Sequence, residues 1–142
     1  MKLISEDFED GGDIPPKFTC NGDNTSPQLS WTEEPEGVKG FALSCIDPDA
    51  PVGDFIHWLV YDIGENVREI SRGGPVLGQE VKNGFGKKSY NGPCPPSGTH
   101  RYVFTLYALD TGHLEDVKRK NFLEKVKEHT IKSVELIGKY SR

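Results

Sequence analysis

The stretch from Phe41 to Ile63 constrains this chain most. It predicts a strand (Phe41 to Asp47), a tight loop rich in Pro and Asp (Pro48 to Asp54) and a second strand (Phe55 to Ile63). The polar residues are what make it unusual. Simple alternation puts Asp47 on the face of Phe41, Leu43 and Cys45, and His57 on the face of Phe55, Leu59 and Tyr61. An acid and an imidazole therefore point into apolar surroundings, across a loop stiffened by Pro48 and Pro51.

His100 to Leu109 is the strongest strand signal in the chain, and its alternation places His100 and Tyr102 on the face of Phe104 and Leu106. The preceding Gly92 to Thr99 is a rigid, turn-rich loop containing Pro93, Pro95 and Pro96. Two histidines, a carboxylate and a phenol thus sit at strand ends beside proline-stiffened loops. We expect Asp47, His57, His100 and Tyr102 to line one small pocket. Each has a plainer role open to it: Asp47 can cap its own turn, and His57 can be a satisfied core histidine. Asp49 reads as structural, with Arg101 as its partner.

With 142 residues, the chain is expected to form one domain, and its 16 Gly and 10 Pro favour short strands and many turns over long helices. The formal net charge of -5 argues against nonspecific binding to nucleic acid or to anionic lipid. The densest basic run, Lys118-Arg119-Lys120, reads as a solvated approach to a helix. No window approaches a membrane span and no signal-peptide core is evident, so the expectation is a soluble, cytoplasmic protein without integral membrane association. Cys20, Cys45 and Cys94 lack C-x-x-C spacing and are expected as free thiols, with one disulfide plus a free thiol as the alternative.

Short strands are predicted at Lys2 to Ser5, Lys17 to Thr19 and Gln28 to Trp31. Asn21 to Asn24 reads as a solvated turn, because it lacks the ordered ligand spacing of a calcium loop. Ile63 to Tyr90 reads as a long surface connection. Its glycines match neither phosphate-loop pattern, so no cofactor is expected. Asn121 with Glu124 has capping-box spacing and predicts a helix from Asn121 to Thr130, followed by a closing strand from Val134 to Ser141.

Two separated motifs then carry a family resemblance. Asp47-Pro48-Asp49-Ala50-Pro51 with His57-Trp58, and Gly92-Pro93-x-Pro95-Pro96-x-Gly98-x-His100-Arg101-Tyr102, resemble the phosphatidylethanolamine-binding protein family, which includes the Raf kinase inhibitor protein. Ser26-Pro27-x-Leu29-x-Trp31 and Phe85-Gly86 match in the same order, and the short loops resemble the bacterial and archaeal branch. The resemblance implies a mainly β fold, a β-sandwich of antiparallel sheets with a short C-terminal helix. It also implies a small anion pocket built from Asp47, His57, Gly92, Pro93, His100 and Tyr102. Cys94 stands where animal members commonly carry proline, and Ile56 where they have a second histidine.

Several chemistries compete for this constellation. Imidazoles, a tyrosine hydroxyl and backbone N–H groups suit a small anion such as phosphate, a phosphomonoester or a phospholipid headgroup. Two histidines and a carboxylate also match metal-ligand types, although the tight ligand spacings are missing. A hydrolytic enzyme using Cys94, His100 and Asp47 is a further alternative. The resemblance adds inhibition of a protease or kinase partner, and a homodimer is compatible with the chain. The reading that follows is a non-enzymatic regulator that binds a small anion.

Overall fold

The computed structural model describes residues 1–142. Its strands are β1 (Lys2–Ile4), β2 (Leu29–Thr32), β3 (Gly40–Asp47), β4 (Phe55–Gly64), β5 (Glu69–Ile70), β6 (Gln79–Glu80), β7 (Thr99–Leu109) and β8 (Thr130–Ser141). A 3-10 turn (Pro16–Phe18) precedes β2, and one short helix, α1 (Phe122–Lys127), precedes β8. The strands form two antiparallel sheets, ordered β1-β2-β5 and β6-β4-β3-β7-β8. The mainly β architecture expected from the sequence is the one observed.

The core lies between the sheets. Leu3, Leu29, Trp31 and Ile70 of the smaller sheet pack with Phe41, Leu43, Cys45, Trp58, Phe104 and Leu106 of the larger one. On the outer face of the larger sheet, Ala42, Leu59 and Tyr107 pack under Phe122 and Val126 of α1. Strand β3 is therefore covered on both sides, which is why its sequence is apolar almost without alternation. Fully burying each such large side chain contributes about 1.5–3 kcal/mol.

The facing pattern departs from simple alternation at a point that matters. Cys45 pairs with Trp58 while Ile46 pairs with Ile56, so β4 carries an extra residue at His57. This bulge turns His57 and Trp58 toward the same side. Leu59 consequently faces α1 rather than sharing a face with His57. A second irregularity, between Phe41 and Leu43 in the pairing, coincides with Asp62 at a positive φ of 53° and returns Ile63 to the inner core.

Other local differences have equally local causes. Lys17 to Thr19 is not a strand: Pro15 and Pro16 preset φ for a tight turn, and Phe18 is buried at its end. The predicted helix stops at Lys127, and the capping box does not form. The Asn121 side chain instead accepts from the Lys118 N–H at 2.7 Å. The closing strand begins earlier than predicted, at Thr130, because it pairs with β7 along almost its full length. The connection from Ile63 to Tyr90 is not all surface, since Val81, Asn83 and Tyr90 are buried.

The expectation of three free thiols is corrected. Cys20 and Cys94 form a disulfide, and only Cys45, buried in the core, is free. The Cys20 N–H donates to the Pro93 carbonyl at 3.1 Å, so the two loops lie side by side. The pair is separated by 74 positions, and no spacing motif announces it.

Candidate functional site

Asp47 ends β3, and the two roles weighed for it coexist. Its Oδ1 accepts the Asp49 N–H at 2.7 Å, closing an Asx turn, while its Oδ2 accepts His100 Nδ1–H at 2.7 Å. Asp49 pairs with Arg101 as expected, through Nε at 2.9 Å and Nη2 at 2.8 Å, and it also accepts the Arg101 backbone N–H at 2.9 Å. The Arg101 guanidinium lowers the Asp49 carboxyl to about 2. These bonds staple the Pro48–Asp54 loop to the start of β7 and fix His100 beside Asp47.

His57 is oriented from the other direction. Its Nδ1 lies 2.6 Å from the Asn91 carbonyl, and a carbonyl can only accept, so Nδ1 carries the proton. Asn83, fully buried, holds this region together. Its Nδ2 donates to the His57 carbonyl at 3.3 Å, to the Ser89 carbonyl at 2.8 Å and to Asn91 Oδ1 at 2.8 Å. Its Oδ1 accepts the Phe85 and Lys87 N–H groups at 2.8 and 3.1 Å, folding the segment that presents Phe85.

The result is a pocket of about 270 Å³ that brings together Asp47, His57, His100 and Tyr102. Phe55 and Phe85 wall it, with ring centroids 5.3 and 5.6 Å from the His57 ring, and Tyr102 sits edge-on to His57 at 5.2 Å. Pro51, Pro95 and Pro96 complete the rim. Gly92 and Pro93 are held through their backbones: the Gly92 carbonyl lies against the His57 ring, its N–H goes to Asn24 Oδ1 at 2.7 Å, and the Pro93 carbonyl accepts from Cys20. Asn83 and Asn91 are supporting residues that the sequence does not single out, whereas Phe85 belongs to the matched motif and Phe55 to the face of His57. In sequence Asn83 falls within the long connection from Ile63 to Tyr90 and carries no signal of this role.

The charge state is set by burial and by the fixed Nδ1 protons. Burial pushes the His57 imidazole below its ordinary value, against the opposing pull of the Asn91 carbonyl and the Asp47 carboxylate. Burial, and then the nearby Asp47 carboxylate, pushes the Tyr102 phenol far above its ordinary value, so it stays a neutral O–H donor. That hydroxyl is buried beside the Cys94 backbone N–H, and its own proton meets no acceptor within the protein. Leaving such a donor unpaired costs about 1–3 kcal/mol unless something in the pocket accepts it.

The Cys94 sulfur is bonded to Cys20, so it is not a thiol nucleophile. No group of three His, Cys, Asp or Glu side chains is placed to hold a metal ion. No helix is long and apolar enough to cross a membrane.

The lowered His57 has a consequence for stability. Its imidazole takes up a proton near pH 6.5 when unfolded but only at lower pH when native. Its contribution is therefore complete above about pH 6.5 and declines as pH falls below that value. Urea midpoints should decrease from about pH 7.5 to about pH 5, and His57→Gln should remove part of that slope. An identical slope in the variant would mean that His57 does not titrate differently on folding. The Asp49 contribution has the opposite origin and is lost only below about pH 4, so it does not interfere.

Comparison with known proteins places this geometry in a family. The phosphatidylethanolamine-binding protein family model matches residues 4–141. A UPF0098 protein of Methanothermobacter thermautotrophicus is 43% identical over 153 aligned positions, covering 100% of this chain and 99% of that protein. A UPF0098 protein of Archaeoglobus fulgidus is 41% identical over 98% of this chain, and the alignment spans 50% of its own length. The crystal structure of a phosphatidylethanolamine-binding protein homologue from Chlamydia trachomatis superimposes with a TM-score of 0.92 at 36% identity, covering 99% of this chain and 96% of that one. Sandwich, motif order and near-complete coverage agree, and the chain belongs to the phosphatidylethanolamine-binding protein family.

Proposed function

We propose that this protein is a non-enzymatic binding module for a small phosphate-type anion, and that it acts through this pocket as a regulator of a protease or kinase partner. The observation that carries the reading is the buried, unpaired Tyr102 hydroxyl, set between two imidazoles whose Nδ1 protons are already committed. Tyr102 donates to one oxygen of the anion. Neutral His57 and His100 offer Nε2 only as acceptors, so they suit a phosphomonoester that still carries one proton. A fully ionised oxyanion requires an imidazolium instead. At His100 the Asp47 carboxylate, 2.7 Å from Nδ1, compensates that charge. Phe55 and Phe85 give the ligand's organic part an apolar wall.

The sign of the pH dependence follows. Each proton taken up at Nε2 adds a donor and a positive charge, so sulfate, which does not titrate near neutrality, should bind more tightly as pH falls from about 8 to about 6. Calorimetric titration with sulfate should show this in the wild type. His100→Ala should weaken binding. Tyr102→Phe should weaken binding about tenfold, the loss of a hydrogen bond to a charged group. Sulfate affinity that is independent of pH and unchanged in His100→Ala would reduce the histidines to scaffold. Phosphomonoester turnover abolished by His100→Ala would make the protein an enzyme.

A further inference from the structure

A second feature lies away from the histidine pocket. Between β6 and the approach to α1 runs a groove of about 480 Å³, edged by Lys82 and Lys88 on one side and Lys118, Arg119 and Lys120 on the other. Five cations converge here in a chain of net charge -5. None of them forms an ion pair with a carboxylate. The one carboxylate lining the groove, Glu80, accepts the Trp58 indole N–H at 2.9 Å. Five unneutralised charges facing one another repel, and the fold keeps them together without an internal partner. The floor is apolar, formed by Val81 and Val117 with Tyr61.

The composition of the walls selects among anions. Tight phosphate sites use backbone N–H cradles, helix N-termini or free arginine forks. The single arginine here is committed, its Nη1 donating to the Asn83 carbonyl at 2.6 Å, and the remaining cations are lysines on flexible stems. Distributed point charges over an apolar floor fit spaced carboxylates better than one compact polyanion. The backbone adds a second indication. Strand β6 is the edge of the larger sheet, and Val81 N–H donates inward to Leu59 at 3.0 Å. By alternation the next N–H, that of Lys82, points outward, and it donates to no protein group.

We propose that this groove docks an extended acidic segment of a partner protein. The segment adds to the β6 edge through Lys82, lays its apolar side chains on Val81 and Val117, and places its carboxylates under the lysines. This surface is independent of the anion pocket, so either can fail without the other.

The test uses a fluorescein-labelled peptide of about eight residues, strand length, in which Glu alternates with Val. Anisotropy at low salt should show saturable binding that weakens as ionic strength rises. The double variant Lys118→Glu with Lys120→Glu, both at exposed positions, should lose more than about tenfold in affinity while its sulfate response stays at the wild-type level. Exchange of the Lys82 amide should slow when the peptide binds. A matching Lys-Val peptide that binds equally well would overturn the proposal. So would unchanged affinity in the double variant. Tripolyphosphate or a short single-stranded oligonucleotide binding more tightly than the Glu-Val peptide would assign the groove to phosphates instead.

Discussion

Gly92→Ala is expected to unfold or severely destabilise the protein, by more than about 3 kcal/mol. The reason is close packing rather than backbone strain. A Cβ at position 92 would lie 2.0 Å from the Phe18 carbonyl oxygen and 2.8 Å from Asn24 Oδ1. Both neighbours are held, Asn24 by the Gly92 N–H itself and the Phe18 carbonyl by the Tyr90 hydroxyl at 2.7 Å. Neither can move without breaking the contact between the Pro16–Phe18 turn and the loop behind the pocket. Urea denaturation of soluble Gly92→Ala would measure the loss, and the insoluble fraction on expression is the second readout. A variant with a wild-type midpoint would mean that these two loops are not in contact in solution.

Removing the disulfide should have an effect of similar size. Joining Cys20 to Cys94 closes a loop across 74 positions, and chain entropy alone assigns such a crosslink about 4 kcal/mol. Cys20→Ser with Cys94→Ser should therefore lower the urea midpoint, by an amount that a reductant reproduces in the wild type. Reductant should leave the double variant unchanged. Cys94 also lines the anion pocket, so sulfate affinity should fall along with stability. Equal midpoints for wild type and double variant under oxidising conditions would show that the bond contributes nothing to the native state.

Gly92 and Cys94 both lie in the loop whose role is least legible in sequence. The motif around Gly92-Pro93 resembles a family's pocket segment, and that resemblance placed both residues among the ligand contacts. What packs around Gly92 is Phe18 and Asn24, some 70 positions earlier, and only the fold brings them there. The His57 facing error has the same origin. Alternation is a local rule, and a bulge is a property of the pairing between two strands.

The amino-acid sequence by itself determined the strands that carry the site and the four polar residues at their ends. Those follow from apolar patterning and from the cost of placing Asp47, His57 and His100 among buried side chains, both local properties of the chain. The short C-terminal helix and the closing strand were legible for the same reason, though not their limits. Only the tertiary structure decided which Nδ1 proton goes where, that Tyr102 is left unpaired, that Cys20 meets Cys94, and that Lys82 and Lys88 face Lys118 to Lys120 across a groove. Each of these depends on segments distant in sequence meeting at atomic distances. Sheet pairing and loop packing set those distances, and no spacing along the chain encodes them.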